Sequence, residues 1–364
     1  MRNRTRLLMS AAILAVVVAA AAITGEPSFG QGPPPGDKPS AAGAGTWATP
    51  RTPWGDPDVQ GIWGGSSMTP LERPEKYAGR EFLTEEEVAD LERVARAEPA
   101  RDARSGNNHE DVEGAYNDVF THRATTWGRT RRTSLIVDPL DGRIPPLTPE
   151  ARKREEAARR RPQSRSFGGH YTVDTENPVA DNPEDRESDR CKGMILPFSS
   201  TWNFFRMVQA PGHVSIYIEH SNLGGSYRHI ALDGRPHLPS SVRERYGDSV
   251  GRWDGDTLVV DTTNFTNQTN FQGSRENLHL VERYTRVGPD LITYRITIDD
   301  PTTFTRQWTI EIPLTRQVDR ANMIYETACH EGNYGLTGIL AGARTKEREE
   351  VAKRTHTQKQ RGSH

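Results

Sequence analysis

The chain has 364 residues, of which 34% are hydrophobic and 26% charged, and its formal net charge is −2. A mean hydropathy of −0.76 marks a polar chain, still long enough to bury a core in one or two domains. The near-zero charge provides no field for nucleic acid, and beyond the N-terminal segment no stretch is apolar enough to span a bilayer.

The N-terminus reads "MRNRTR" and runs at once into an uninterrupted apolar stretch from Leu7. A basic start before such a run is the pattern of a secretory signal. Ser28 and Gly30 offer small residues for cleavage near Gly30, so residues 1–30 are read as a signal peptide. An uncleaved anchor is the alternative, and a lipoprotein is excluded because no cysteine lies near the site. With the signal removed, no stable membrane insertion is expected and the compartment is periplasmic or secreted. Residues 31–45, "QGPPPGDKPSAAGAG", form a flexible Pro/Gly/Ala linker.

Residues 46–190 read as an N-terminal arm with two helices and short strands. In "LTEEEVADLERVARA", Thr84 and Glu87 make a capping box, and Val88, Leu91 and Val94 fall at helical spacing. "TSLIVDP" is a short strand, and "TPEARKREEAARRRP" is a charged, solvated helix capped by Thr148. The turn "LDGRIPPL" at Leu140 is echoed by "LDGRPHLP" at Leu232.

Residues 191–342 change character. "HVSIYIEH", "YRHIALDGR", "WDGDTLVVDTTNF", "NLHLVERYTRV", "DLITYRITI", "FTRQWTIEI" and "NMIYETA" alternate apolar and polar residues, as half-buried strands do. Asp-Gly and Gly-Pro-Asp supply hairpin turns. The fold class is therefore mainly β: an antiparallel meander barrel or strongly curved sheet, with the helical arm outside it. Residues 343–364 form a polar tail. Cys191 and Cys329 are the two cysteines, and in an exported protein they most simply form one disulfide. The rival reading makes Cys329 a nucleophile beside His330.

Several long phrases, "PRTPWGDPDVQGIW", "RRTSLIVDPLDGRIPPLTPEA", "GRWDGDTLVVDTTNF", "NLHLVERYTRV" and "ACHEGNYG", together resemble an uncharacterised family of secreted bacterial proteins. That resemblance implies export and brings no catalytic residues. "GIW" at Gly61 ahead of antiparallel strands is similar to the Gly-x-Trp opening of lipocalin-type barrels, which implies a calycin-like fold.

Candidate site residues come from strand parity, because residues two apart share a face. In "FTRQWTIEI", Arg306 shares its face with Phe304, Trp308, Ile310 and Ile312. Glu282 sits with Leu280 and Tyr284, His220 with Ile216 and Ile218, and Arg228 with Ile230. A buried charge needs a partner, and Arg306 with Glu282 is the simplest pair. An apolar interior holding Arg306, Arg228, Glu282 and His220, walled by Trp308 and Tyr284, is the usual form of a small-molecule site. The first reading is a binding protein for a small, partly apolar ligand held by Arg306, Arg228, Trp308 and Tyr284. The second is an enzyme with Glu282 or His220 as general acid or base. The third is an envelope structural protein with a buried ion pair and no site. Glu326, His330 and Glu331 are metal-capable, and would need His279 or His237 to complete a site; a loop pinned by the disulfide explains them equally. No Gly-x-Ser-x-Gly, Walker or Rossmann element is present, so no cofactor is expected.

Overall fold

The computed structural model describes residues 47–64, 67–97, 127, 129–159, 164–165, 172–173, 191, 196–197, 204–219, 225–317, 324, 329–331 and 334–361. The chain divides into two units, Met1–Thr46 and Trp47–His364, and the first lies wholly outside the described residues with the expected signal and linker.

The elements of the second unit are β1 (Gly61–Gly64), α1 (Glu85–Ala97), β2 (Ile136–Asp138), α2 (Pro149–Arg159), β3 (Ser164–Arg165), β4 (Thr172–Val173), β5 (Phe204–Ala210), β6 (His213–Glu219), β7 (Ser226–Ala231), β8 (Asp248–Asp254), β9 (Thr257–Thr263), β10 (His279–Gly288), β11 (Leu291–Asp299), β12 (Trp308–Arg316) and α3 (Tyr334–Arg361). The main sheet runs β1-β5-β6-β7-β8-β9-β10-β11-β12-β2. It closes because β12 also pairs with β1, through Trp63↔Arg316 and Gly64↔Thr315. The result is a β-barrel with β2 as an extra strand outside, pairing with the opposite end of β12.

Alternation builds this barrel. Along β10, Leu280, Glu282, Tyr284 and Arg286 are buried while the residues between them are half-exposed. Along β11 the buried set is Ile292, Tyr294, Ile296 and Ile298. The hairpin from β8 to β9 turns on Gly255, whose φ of +58° suits the two-residue turn that "DG" announces.

Two features depart from a simple meander. The four-residue β1, contributed by the segment read as an arm, is the strand that closes the barrel. The joint between β7 and β8 is parallel, with Ala231↔Val250 as its registered pair. The crossover 232–247 carries the chain between these two strands. At Gly251 a Cβ would stand 2.7 Å from Ile230 Cγ2 and 2.7 Å from Leu232 Cδ2, so β8 needs glycine to pass there.

Outside the barrel, the capping box forms: Thr84 N–H donates to Glu87 Oε2 (2.8 Å) and Glu87 N–H to Thr84 Oγ1 (3.2 Å). Val88 and Leu91 of α1 pack with Tyr77, Leu83 and Trp127, while Val94 turns outward. Thr148 Oγ1 caps α2 by accepting from Ala151 N–H (3.1 Å). The segment read as a polar tail lies mostly in α3. Cys191 and Cys329 are joined in a disulfide across a sequence separation of 138, which removes the nucleophile reading.

Candidate functional site

The interior of the barrel carries a polar network at its centre. Arg228 projects from β7 and Glu282 from β10, and their side chains are 2% and 0% exposed. Arg228 Nη1 donates to Glu282 Oε1 at 2.9 Å, and Nη2 donates to Oε2 in the second arm of a bidentate pair. Two further bonds hold the guanidinium: Nε donates to Ser249 Oγ (3.0 Å) and Nη2 also donates to Thr262 Oγ1 (2.6 Å). Tyr284 Oη (3.2 Å) and Tyr294 Oη both donate to Glu282 Oε1. The two phenol rings stack with centroids 4.3 Å apart.

The electrostatics follow from this packing. Burial works against the Arg228 charge, but the charge and hydrogen bonds of Glu282 outweigh it and hold the guanidinium above its ordinary value. Burial, and then the nearby Glu282 charge, push both Tyr284 and Tyr294 well above the usual phenol range. Both phenols therefore stay protonated donors. The walls around them, including Trp63, Tyr284, Tyr294, Ile296 and Ile312, are without accessible surface. The ion pair is buried with them, Arg228 at 4% and Glu282 at 0% exposure as whole residues.

Parity thus places Arg228, Glu282, Tyr284 and Trp308 inside, but pairs the charges differently from the expectation. Arg306 is 52% exposed and its Nη2 donates to both oxygens of Asp138, each at 2.8 Å. The physical reason is a bend at residues 305–306: β12 begins only at Trp308, so period-2 alternation does not extend back through Arg306. Phe304 and Trp308 still both face inward, with rings 5.5 Å apart. Arg228, expected as a second cation beside Arg306, is the true partner of Glu282. Trp308 stacks on Phe271 (5.9 Å), and its indole N–H has no partner among the described residues. His220 and Glu326 lie outside the described residues. His330 and Glu331 are exposed, and among the described residues no group of three or more His, Cys, Asp or Glu is arranged to hold a metal ion.

A second ionisable cluster lies on the outer wall, and it is half-exposed. Asp261 sits mid-β9, opposite Val250 and Val281 on the neighbouring strands. His279 opens β10 two residues before Val281, so it shares the outward face diagonally from Asp261. Its Nε2 lies 3.0 and 3.1 Å from the two Asp261 oxygens. From the crossover, His237 reaches the same carboxylate: Nε2 is 3.0 Å from Asp261 Oδ1, and Nδ1 is 2.8 Å from Asp248 Oδ2. Asp248 also accepts from Arg235 Nη2 (2.5 Å) and from Leu238 N–H (3.0 Å). Basic nitrogen groups and carboxylates alternate along the row Arg235, Asp248, His237, Asp261, His279.

Burial alone would raise Asp248; hydrogen bonds from Arg235, the Leu238 N–H and His237 overturn that and bring it down to about 2. Asp261 is likewise lowered, its partial burial outweighed by His279 and His237. His279 is raised by its hydrogen bond to Asp261, against partial burial. The sequence did carry a signal for this cluster. Asp261 and His279 fall on the polar faces of their strands, and "DGRPH" puts a turn directly before His237. A search for ionisable groups on apolar faces passes over them.

No protein-family model matches the chain, and no curated protein matches it. Among solved structures it is similar to a REP1-NXSQ fatty acid transporter, at 10% identity and a TM-score of 0.22, over 32% of this chain and 71% of that one. A likeness of that size carries no functional weight.

Proposed function

We propose that the protein is an exported small-molecule-binding protein whose ligand docks on the outer wall of the barrel, at Arg235, His237, Asp261 and His279. One observation carries this reading. Of these two polar clusters, the interior one is buried around a bidentate ion pair, while the outer one converges from separate elements with Asp261 and His279 each 37% exposed. Convergent, accessible groups with displaced proton affinities are the general form of a binding site. Export is supported by the basic start, the apolar run from Leu7 and the disulfide. Native mass spectrometry of the purified chain tests the reading. A small-molecule adduct is expected on the wild type and absent from Asp261→Ala. A bare wild-type mass, or an adduct indifferent to that substitution, contradicts it.

The enzyme reading has its own supporting observation. Asp261 brackets His279 Nε2 with both oxygens, the arrangement that orients an imidazole as a general base. His279→Gln would then lower turnover of the bound molecule by roughly 10²–10⁴. A pure binder shows a change in affinity alone.

A further inference from the structure

The outer faces of β6 and β7 carry a pair of histidines apart from both polar clusters. Successive residues of a strand point to opposite faces. Val214 and Ile230 point into the core, so their neighbours His213 and His229 point outward, and both are exposed. In the ladder His213 stands opposite Ala231 and His229 opposite Ser215, which makes the two histidines diagonal neighbours on adjacent strands. Their backbones are held firmly. Pro211 and Gly212 turn the chain between the paired Ala210 and His213, and Gly212 at φ +80° matches the second central position of a type II turn. Gly212 O accepts from Leu232 N–H (2.7 Å), and the paired Val214 and Ile230 are both 0% exposed.

The two imidazole centres lie 5.3 Å apart, with their planes at 46° to each other. Among the described residues, no hydrogen bond or ion pair joins either ring to another side chain. His237 and His279 differ in this respect, because their nitrogens face Asp248 and Asp261. We infer that His213 and His229 form a two-imidazole site for a divalent transition-metal cation of the copper–zinc class. The spacing fits such an ion. A metal about 2.1 Å from a ring nitrogen stands roughly 3.2 Å from the ring centre, so two rings on one tetrahedral ion have centres about 5.2 Å apart.

Ligand chemistry narrows the choice of ion. Imidazole suits copper, zinc and nickel, whereas calcium and magnesium take shells of oxygen. Copper(II) binds most tightly of these in the usual order of divalent metals. Among the described residues no group of three or more His, Cys, Asp or Glu converges on a metal position, so this pair supplies two ligands and leaves the other positions to solvent. A closed structural site fills all four positions with protein ligands. An open, exposed shell suits reversible capture of the ion instead. The pair belongs to β6 and β7, whereas Asp261 and His279 belong to β9 and β10, so the inference does not rest on the proposed docking site.

Calorimetric titration of the full chain with zinc(II) and with copper(II), in a non-chelating buffer, tests this. The tightest wild-type site should weaken by more than about tenfold in His213→Gln and equally in His229→Gln, since even groups that merely orient a metal ligand are worth about 10–100-fold in affinity. His330→Gln removes an exposed histidine outside the pair and should leave that site intact. Electron paramagnetic resonance of the copper(II) form should show coupling to two nitrogens in the wild type. If a variant fails to fold, that spectrum decides, and coupling to fewer than two nitrogens overturns the proposal. A wild type that binds neither ion overturns it, as does a site that survives either substitution. A site lost in His279→Gln and kept in His213→Gln would put the metal on the outer-wall cluster, which also overturns it. A metal site without any small-molecule adduct would refute only the binding reading, and an adduct without a metal site would refute only this one.

Discussion

Arg228→Met tests whether the barrel core depends on its ion pair. The substitution keeps approximate volume but removes both donors to Glu282 along with the bonds to Ser249 and Thr262. Glu282, at 0% exposure, would face only the phenols of Tyr284 and Tyr294. Removing one partner of a buried pair costs about 3–5 kcal/mol, because the other charge is stranded. For a unit of this size that is roughly a 10 °C fall in melting temperature. The stranded carboxylate adds a pH signature. Burial favours its neutral form, so the variant should regain stability as pH falls and the acid takes up a proton. Urea unfolding at pH 7 and pH 4.5 reads both effects. The double variant Arg228→Met with Glu282→Gln should recover a large part of the loss at pH 7, since no charge is then left behind. A loss under 1 kcal/mol at pH 7 would refute the reasoning, as would a loss of equal size at pH 4.5, because either means that the carboxylate reaches water.

Further expectations concern other parts of the fold. Arg306→Ala breaks an exposed pair with Asp138 and should change stability by no more than about 1 kcal/mol in a thermal melt. Gly251→Val places its Cβ against Ile230 and Leu232 and should destabilise by about 1–3 kcal/mol, read by chemical denaturation. Reducing the Cys191–Cys329 bridge releases a loop of separation 138, and the chain-entropy model puts that loss at about 5 kcal/mol, measured as the shift in urea midpoint with and without reductant. The wild type should lose stability as pH falls toward 2, where Asp248 gains its proton, and Asp248→Asn should flatten that part of the acid-denaturation curve.

Much of the barrel was legible because alternation is a local property. β9, β10, β11 and most of β12 can be read by eye, and parity put Arg228, Glu282, Tyr284 and Trp308 on the inner faces where they lie. What the pattern missed was non-local or interrupted. Closure by Gly61–Gly64 rests on two registered pairs, Trp63↔Arg316 and Gly64↔Thr315, with a strand some 250 residues further along the chain. The parallel joint is a single registered pair beyond a long crossover. Arg306 was misplaced because one bend at 305–306 ends the alternation that the residue types alone continue. The outer cluster was missed for a different reason. Asp, His and Arg on a polar face look like ordinary surface, and only the tertiary packing of the crossover brings Arg235 and His237 onto β8 and β9.

The proposed division of labour sets a buried interior ion pair that holds the barrel against an outer Asp/His row proposed to meet the ligand. Native mass spectrometry of two variants tests it most directly. The adduct carried by the wild type should survive Arg228→Met with Glu282→Gln and vanish with Asp261→Asn. An adduct lost on neutralising the interior and kept on neutralising Asp261 would place the ligand inside the barrel and contradict the account.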